Sequence, residues 1–142
     1  MSSSRIVVGV DGSDHSTRAV QWCADHAAAL DAEVIVVHVI DAPVYLGTSG
    51  VPIPALSPEQ RQDLHDLVGG EWCKPLADAG VPNRVELRDG SPTIAIMRAA
   101  ESERAELVVT GRRGRGGFAE LVLGSTSHQL SHHLDRPLVI VP

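Results

Sequence analysis

The hydrophobic positions follow two alternating rhythms. Residues 5–10 form a β-branched run, Arg-Ile-Val-Val-Gly-Val, closed by Asp11-Gly12-Ser13, as expected for a strand buried on both faces and ended by a turn. Between residues 14 and 30, Ala19, Val20, Trp22, Cys23, Ala27 and Leu30 recur at helical spacing, with Ser13 or Asp14 available as cap. A second continuous strand is expected over 33–40. Residues 41–58, dense in Pro, Gly and Ser, then read as a long loop of the kind that covers something. Leu64, Leu67, Val68, Trp72 and Leu76 form the stripe of a second helix stopping at Gly80, with a kink expected at Gly69-Gly70. Three further strands are predicted over 81–87, 106–110 and 137–142, and two further helices over 92–102 and 125–134.

This order, strand then helix repeated, predicts a single α/β domain over residues 1–142. Its expected form is an open, doubly wound, parallel five-stranded sheet of order 3-2-1-4-5 with helices on both faces. The length of 142 residues suits one core. Hydrophobic residues at 43% and charged residues at 21% match a chain that folds alone.

A formal net charge of −6 sets the overall field against nucleic acid. No apolar run reaches the ~20 residues of a membrane span, and the amino-terminal residues lead into a strand without a signal-peptide core, so a cytoplasmic protein without a membrane partner is expected. Cys23 and Cys73 share no metal or redox spacing and read as buried reduced thiols.

In open α/β sheets ligands sit beyond the carboxyl ends of the strands, where the strand order reverses. The first strand ends in Asp11-Gly12-Ser13. The fourth runs into Gly111-Arg112-Arg113-Gly114-Arg115-Gly116-Gly117, followed by Gly124-Ser125-Thr126 at a helix start. Glycines let backbone N–H groups converge on an anion, and a helix amino terminus adds unpaired donors. The same residues also fit a surface loop with a serine cap, and Asp11 also fits an Asx turn.

The spacing Gly111-x-x-Gly114, nine residues, then Gly124-Ser125 resembles the G-2x-G-9x-G-[S/T] motif of ATP-binding universal stress proteins. The resemblance runs through Val8-Gly9-Val10-Asp11-Gly12-Ser13, Gly90-Ser91-Pro92, Glu106-Leu-Val-Val-Thr-Gly111 and Arg136-Pro137-Leu-Val-Ile-Val-Pro142. It departs at Glu106, where many relatives have Asp. The resemblance implies ATP or a related adenine nucleotide, with or without magnesium. Asp11 would meet the ribose or adenine side, and the Val39 backbone the adenine edge. Gly111, Arg112, Gly114, Gly124, Ser125 and Thr126 would surround ribose and phosphates. It also implies a homodimer through the last strand, an apolar edge bracketed by Pro137 and Pro142.

Competing chemistries lack their residues. A Walker loop needs Lys after its last glycine, and the one lysine, Lys74, lies far from the glycines. The first turn lacks G-x-G-x-x-G, and the chain has no G-x-S-x-G elbow. His128 and His132, beside His133, share a helical face that fits either zinc or solvent, but no further ligand is indicated. His38 reads as a core or site-wall histidine. A regulatory nucleotide-binding module, a slow ATPase or transferase, and a dimer module without ligand all stay open, the first being preferred because no residue is placed as a base.

Overall fold

The computed structural model describes residues 4–40, 45–46, 51–52, 55–113 and 123–142. The strands are β1 (Ser4–Val10), β2 (Ala32–Ile40), the short pair β3 (Tyr45–Leu46) and β4 (Val51–Pro52), then β5 (Asn83–Asp89), β6 (Leu107–Gly111) and β7 (Leu138–Val141). The helices are α1 (Asp14–His26), α2 (Pro58–Leu67), α3 (Lys74–Asp78), α4 (Pro92–Ser102) and α5 (Ser125–His133). The main sheet has five strands in the order β5-β2-β1-β6-β7, and all four pairings are parallel. Counted along the chain without the short antiparallel β3–β4 pair, this is the expected 3-2-1-4-5 order.

Side-chain alternation explains the two layers. Ile6, Val8 and Val10 of β1 with Val34 and Val36 of β2 pack against Val20 and Cys23 of α1 and Leu76 of α3. Their alternates Val7, Ile35 and Val37 pack against Ile96 and Ala99 of α4 and Leu130 of α5. Strands that bury both faces in this way need the continuous β-branched runs seen in the sequence. Both cysteines are free and buried. Burial pushes the Cys73 thiol up to about 11 and the Cys23 thiol up to about 12, so both stay protonated at neutral pH.

Helix starts follow local chemistry. Ser13 caps α1 by accepting from Ser16 N–H at 3.2 Å. Ser57 and Gln60 form a reciprocal capping box at α2. Most element ends shift by one or two residues from the sequence expectation, and three differences have a local cause or consequence. The first helix stops at His26, because the chain leaves through turns to Asp31 at φ 50° and leaves Leu30 41% exposed. The kink expected at Gly69-Gly70 is a π-helical turn, Val68–Trp72, which buries Val68 and separates α2 from α3. The third main strand runs over Asn83–Asp89 instead of 81–87.

At the amino-terminal ends of the strands, Glu103 accepts from Arg5 at 3.1 Å and from Arg84, which also bridges Glu33 and Glu86. The Arg84 hydrogen bond leads the effects holding the Glu103 carboxyl below its usual 4.5. A depressed carboxyl stabilises the fold above its unfolded pKa, and the contribution disappears as pH falls through the folded value. Glu103→Gln is therefore expected to cost about 1–2 kcal/mol at neutral pH. The difference from wild type should shrink in denaturant titrations below pH 4, and a pH-independent difference would assign the loss to packing.

Candidate functional site

The strand order reverses between β1 and β6. Helix α1 leaves β1 toward one face and α4 enters β6 from the other, so the carboxyl ends of these strands are left open. A crevice of about 980 Å³ occupies this point. Asp11 and Val10 of β1's end, His38, Val39 and Ile40 of β2, Thr110 and Gly111 of β6, and Gly124 to Ser127 at the start of α5 line it.

Asp11 sits where β1 ends and Gly12, at φ 81°, turns the chain into α1. Its carboxylate accepts from Ser13 N–H at 2.9 Å, an Asx turn that fixes its place at the crevice. Val39 lies one step past the end of the β1 ladder. Toward β1 pairing stops at Val10 with His38, whereas toward β5 it continues through Val39 with Arg88 and Ile40 with Asp89. His38 is tied to Val10, its ring Nδ1 lying 2.8 Å from the carbonyl oxygen. A carbonyl can only accept, so Nδ1 carries the proton.

Gly111 is buried because its strand runs against the first turn of α1. A Cβ there would lie 2.6 Å from the His15 carbonyl carbon and 2.7 Å from its oxygen. This close approach requires glycine whether or not a ligand is bound. Gly124 is the N-cap of α5, and no side chain caps that helix. Ser125 is thus the first helical residue and not the capping hydroxyl that the sequence allowed. Ser127 instead turns inward and donates to the Arg112 carbonyl at 2.8 Å, while Gly124 N–H donates to the same oxygen at 2.7 Å. These two bonds hold the helix start against the end of β6.

Asp11, Val39, Gly111, Gly124, Ser125 and Thr126 therefore meet in one crevice. Arg112 does not line it. Its N–H continues the sheet to the Val141 carbonyl at 2.7 Å, and alternation brings Arg113 to the crevice instead. Gly114 lies outside the described residues, as do most of the glycine-rich segment and most of the 41–58 loop. Sequence reading missed Trp72, presented by the π-helical turn and edge-to-face with His38 at 5.2 Å. It also missed Thr93 and Gln129, which reach the crevice from α4 and α5. The Gly69-Gly70 pair was a usable signal for the first; nothing in the local pattern marked the other two.

His128 and His132 meet edge to face on α5, ring centroids 4.7 Å apart, and among the described residues no group of three His, Cys, Asp or Glu is placed to hold a metal. No described helix is long and apolar enough to cross a membrane.

An open parallel sheet with a crevice at its switch point, walled by a strand-end carboxylate and an uncapped helix start, defines the class as a doubly wound α/β fold. The chain belongs to the universal stress protein family, whose family model matches residues 3–142. It is 35% identical over 138 residues to a universal stress protein of Thermus aquaticus, covering 96% of both chains. It is also 35% identical over 141 residues to one of Mycolicibacterium smegmatis, with 96% of this chain matched. In that second relative the match spans 47% of the length, so the chain corresponds to about half of it. Among solved structures, a universal stress protein in complex with cAMP is 26% identical with a TM-score of 0.72, covering 98% of this chain and 96% of the other.

Proposed function

We propose that the crevice binds an adenine nucleotide, ATP foremost, and that the protein is a cytoplasmic stress-response module regulated by that ligand and not a fast enzyme. The observation that carries this reading is the division of one crevice between two chemistries. Ile40, Leu64, Leu67 and Trp72 form an apolar, aromatic end suited to a base, and Ser125, Thr126 and Arg113 a polar, cationic end suited to phosphates. Asp11 lies between strand ends where a carboxylate suits ribose hydroxyls. The cAMP complex of a relative supports the same class of ligand.

Asp11 is the one carboxylate among the described lining residues, and it is engaged by the Ser13 N–H. Magnesium in nucleotide sites is held largely by phosphate oxygens and waters, so it would enter with ATP on the phosphates and leave Asp11 to the ribose. Of the described lining residues that could act as a base, Asp11 is held by the Ser13 N–H and His38 by the Val10 carbonyl, which sets the expectation of hydrolysis far below the ~10 s⁻¹ typical of enzymes. Binding would instead order the residues around the α5 start and change the surface presented to partners. The reading also includes a homodimer joined along β7.

The test combines affinity and turnover. Gly124 has φ −71°, which alanine adopts freely, so Gly124→Ala should fold while its Cβ takes space beside the α5 amino terminus. ATP affinity should fall about tenfold or more, equivalent to ~1.4 kcal/mol, and wild-type phosphate release should stay far below enzymatic rates. Unchanged affinity in the folded variant would remove the α5 start from the site. Turnover at ordinary rates that disappears in Gly124→Ala would make the protein an ATPase.

A further inference from the structure

The polar end of the crevice contains a side-chain pair that joins α4 to α5. Thr93, in the first turn of α4, is buried at 6% exposure, and its hydroxyl donates to Gln129 Oε1 at 2.7 Å. Gln129 is an exposed residue of α5, so the bond that satisfies the buried Thr93 hydroxyl also fixes a solvent-accessible amide at the crevice. A carboxamide has an accepting and a donating end, and the hydroxyl proton takes the accepting one. The two N–H donors of Nε2 are left to other partners. Gln129 also follows Ser125 by four residues on α5, which places both on one helical face, and both line the crevice with Thr93.

We infer that Gln129, oriented by Thr93, is a specificity-determining residue of this crevice whose amide NH2 donates to phosphate oxygens of the bound nucleotide. This deepens the nucleotide-binding reading and rests on it. A neutral donor locked in place stabilises a phosphate without adding a cation that would hold any passing anion. Reversing its polarity should therefore be costly to the phosphorylated ligand alone. Gln129→Glu replaces the donors with a carboxylate, an acceptor that repels phosphate.

The test measures ATP by calorimetry and adenosine by displacement of ATP, in wild type, Gln129→Glu, Thr93→Val and Thr93→Ser. Gln129→Glu should weaken ATP at least tenfold and change adenosine less than twofold. Thr93→Val, which frees the amide, should weaken ATP about threefold, and Thr93→Ser, which keeps the hydroxyl, should restore it. Should Gln129→Glu misfold by circular dichroism, Gln129→Ala replaces it, with an expected ATP loss of about threefold. ATP affinity within twofold of wild type in the glutamate or alanine variant, or equal losses for ATP and adenosine, would overturn the assignment while leaving nucleotide binding intact. A wild type that binds neither ligand would overturn the nucleotide reading itself, and this assignment with it.

Discussion

Gly111→Ala is expected to lower stability by about 3 kcal/mol and melting temperature by about 10 °C. The new Cβ would stand 2.6 Å from the carbonyl carbon, 2.7 Å from the oxygen and 2.8 Å from the Cβ of His15. Two of these atoms are backbone in the first turn of α1, so no rotamer change relieves the clash. Relief requires α1 and β6 to separate. That movement would carry the Ser13 cap and the Asx turn of Asp11 away from the α5 start, so ATP affinity should fall with stability. Gly70→Ala is the control, because a Cβ there meets nothing within 4 Å. It should be neutral or stabilising by up to about 1 kcal/mol, since alanine loses less backbone freedom than glycine in helical conformation. Thermal denaturation of both variants checks the pair, and a Gly111→Ala protein as stable as wild type would show that the approach to His15 is not tight.

Ile140→Pro is expected to convert a homodimer to a folded monomer. The carbonyls of Pro137 and Val141 accept from Val108 and Arg112 on the β6 side, at 3.0 and 2.7 Å. Backbone groups of alternate residues point to opposite sides of a strand, so the N–H groups of Leu138 and Ile140 face away from the sheet. These are the donors that a second copy of the strand would use, and a proline at 140 removes one without touching the internal ladder. Pro137 and Pro142 contribute no donors, which limits pairing to a short two-fold contact and not an open fibre. Val139 and Val141 pack against one core cluster and Leu138 against the other, whereas Ile140 belongs to neither. The loss to the core should therefore be small. Light scattering at micromolar concentration, with circular dichroism as the folding check, decides. A monomeric wild type would defeat the dimer, and a dimeric, folded Ile140→Pro variant would place the interface elsewhere.

The elements that sequence reading located well are those whose pattern has one physical solution. Val-rich runs such as residues 34–37 fit only a strand buried on both faces, and alternation with helices leaves few arrangements for a parallel sheet. The Ser13 cap was legible for the same reason, since its hydroxyl satisfies a helix N–H group of the first turn, whereas the Ser57–Gln60 capping box emerged only from the structure. Side-chain direction near a strand end was less legible. Arg112 and Arg113 are equivalent in a motif, yet the pleat directs the second toward the crevice while the N–H of the first extends the sheet. Gly111 shows a related limit. Its place in the motif suggests phosphate, but its immediate structural requirement is the passage of α1 at His15. Trp72, Thr93 and Gln129 come together only through tertiary packing of the π-helical turn, α4 and α5, which local periodicity does not encode.

Calorimetric titration of ATP into wild-type protein freed of bound nucleotide tests the central claim most directly. Saturable binding of a single ATP per chain, weakened in Gly124→Ala, is the predicted result. A flat titration up to millimolar ATP with properly folded protein would contradict it.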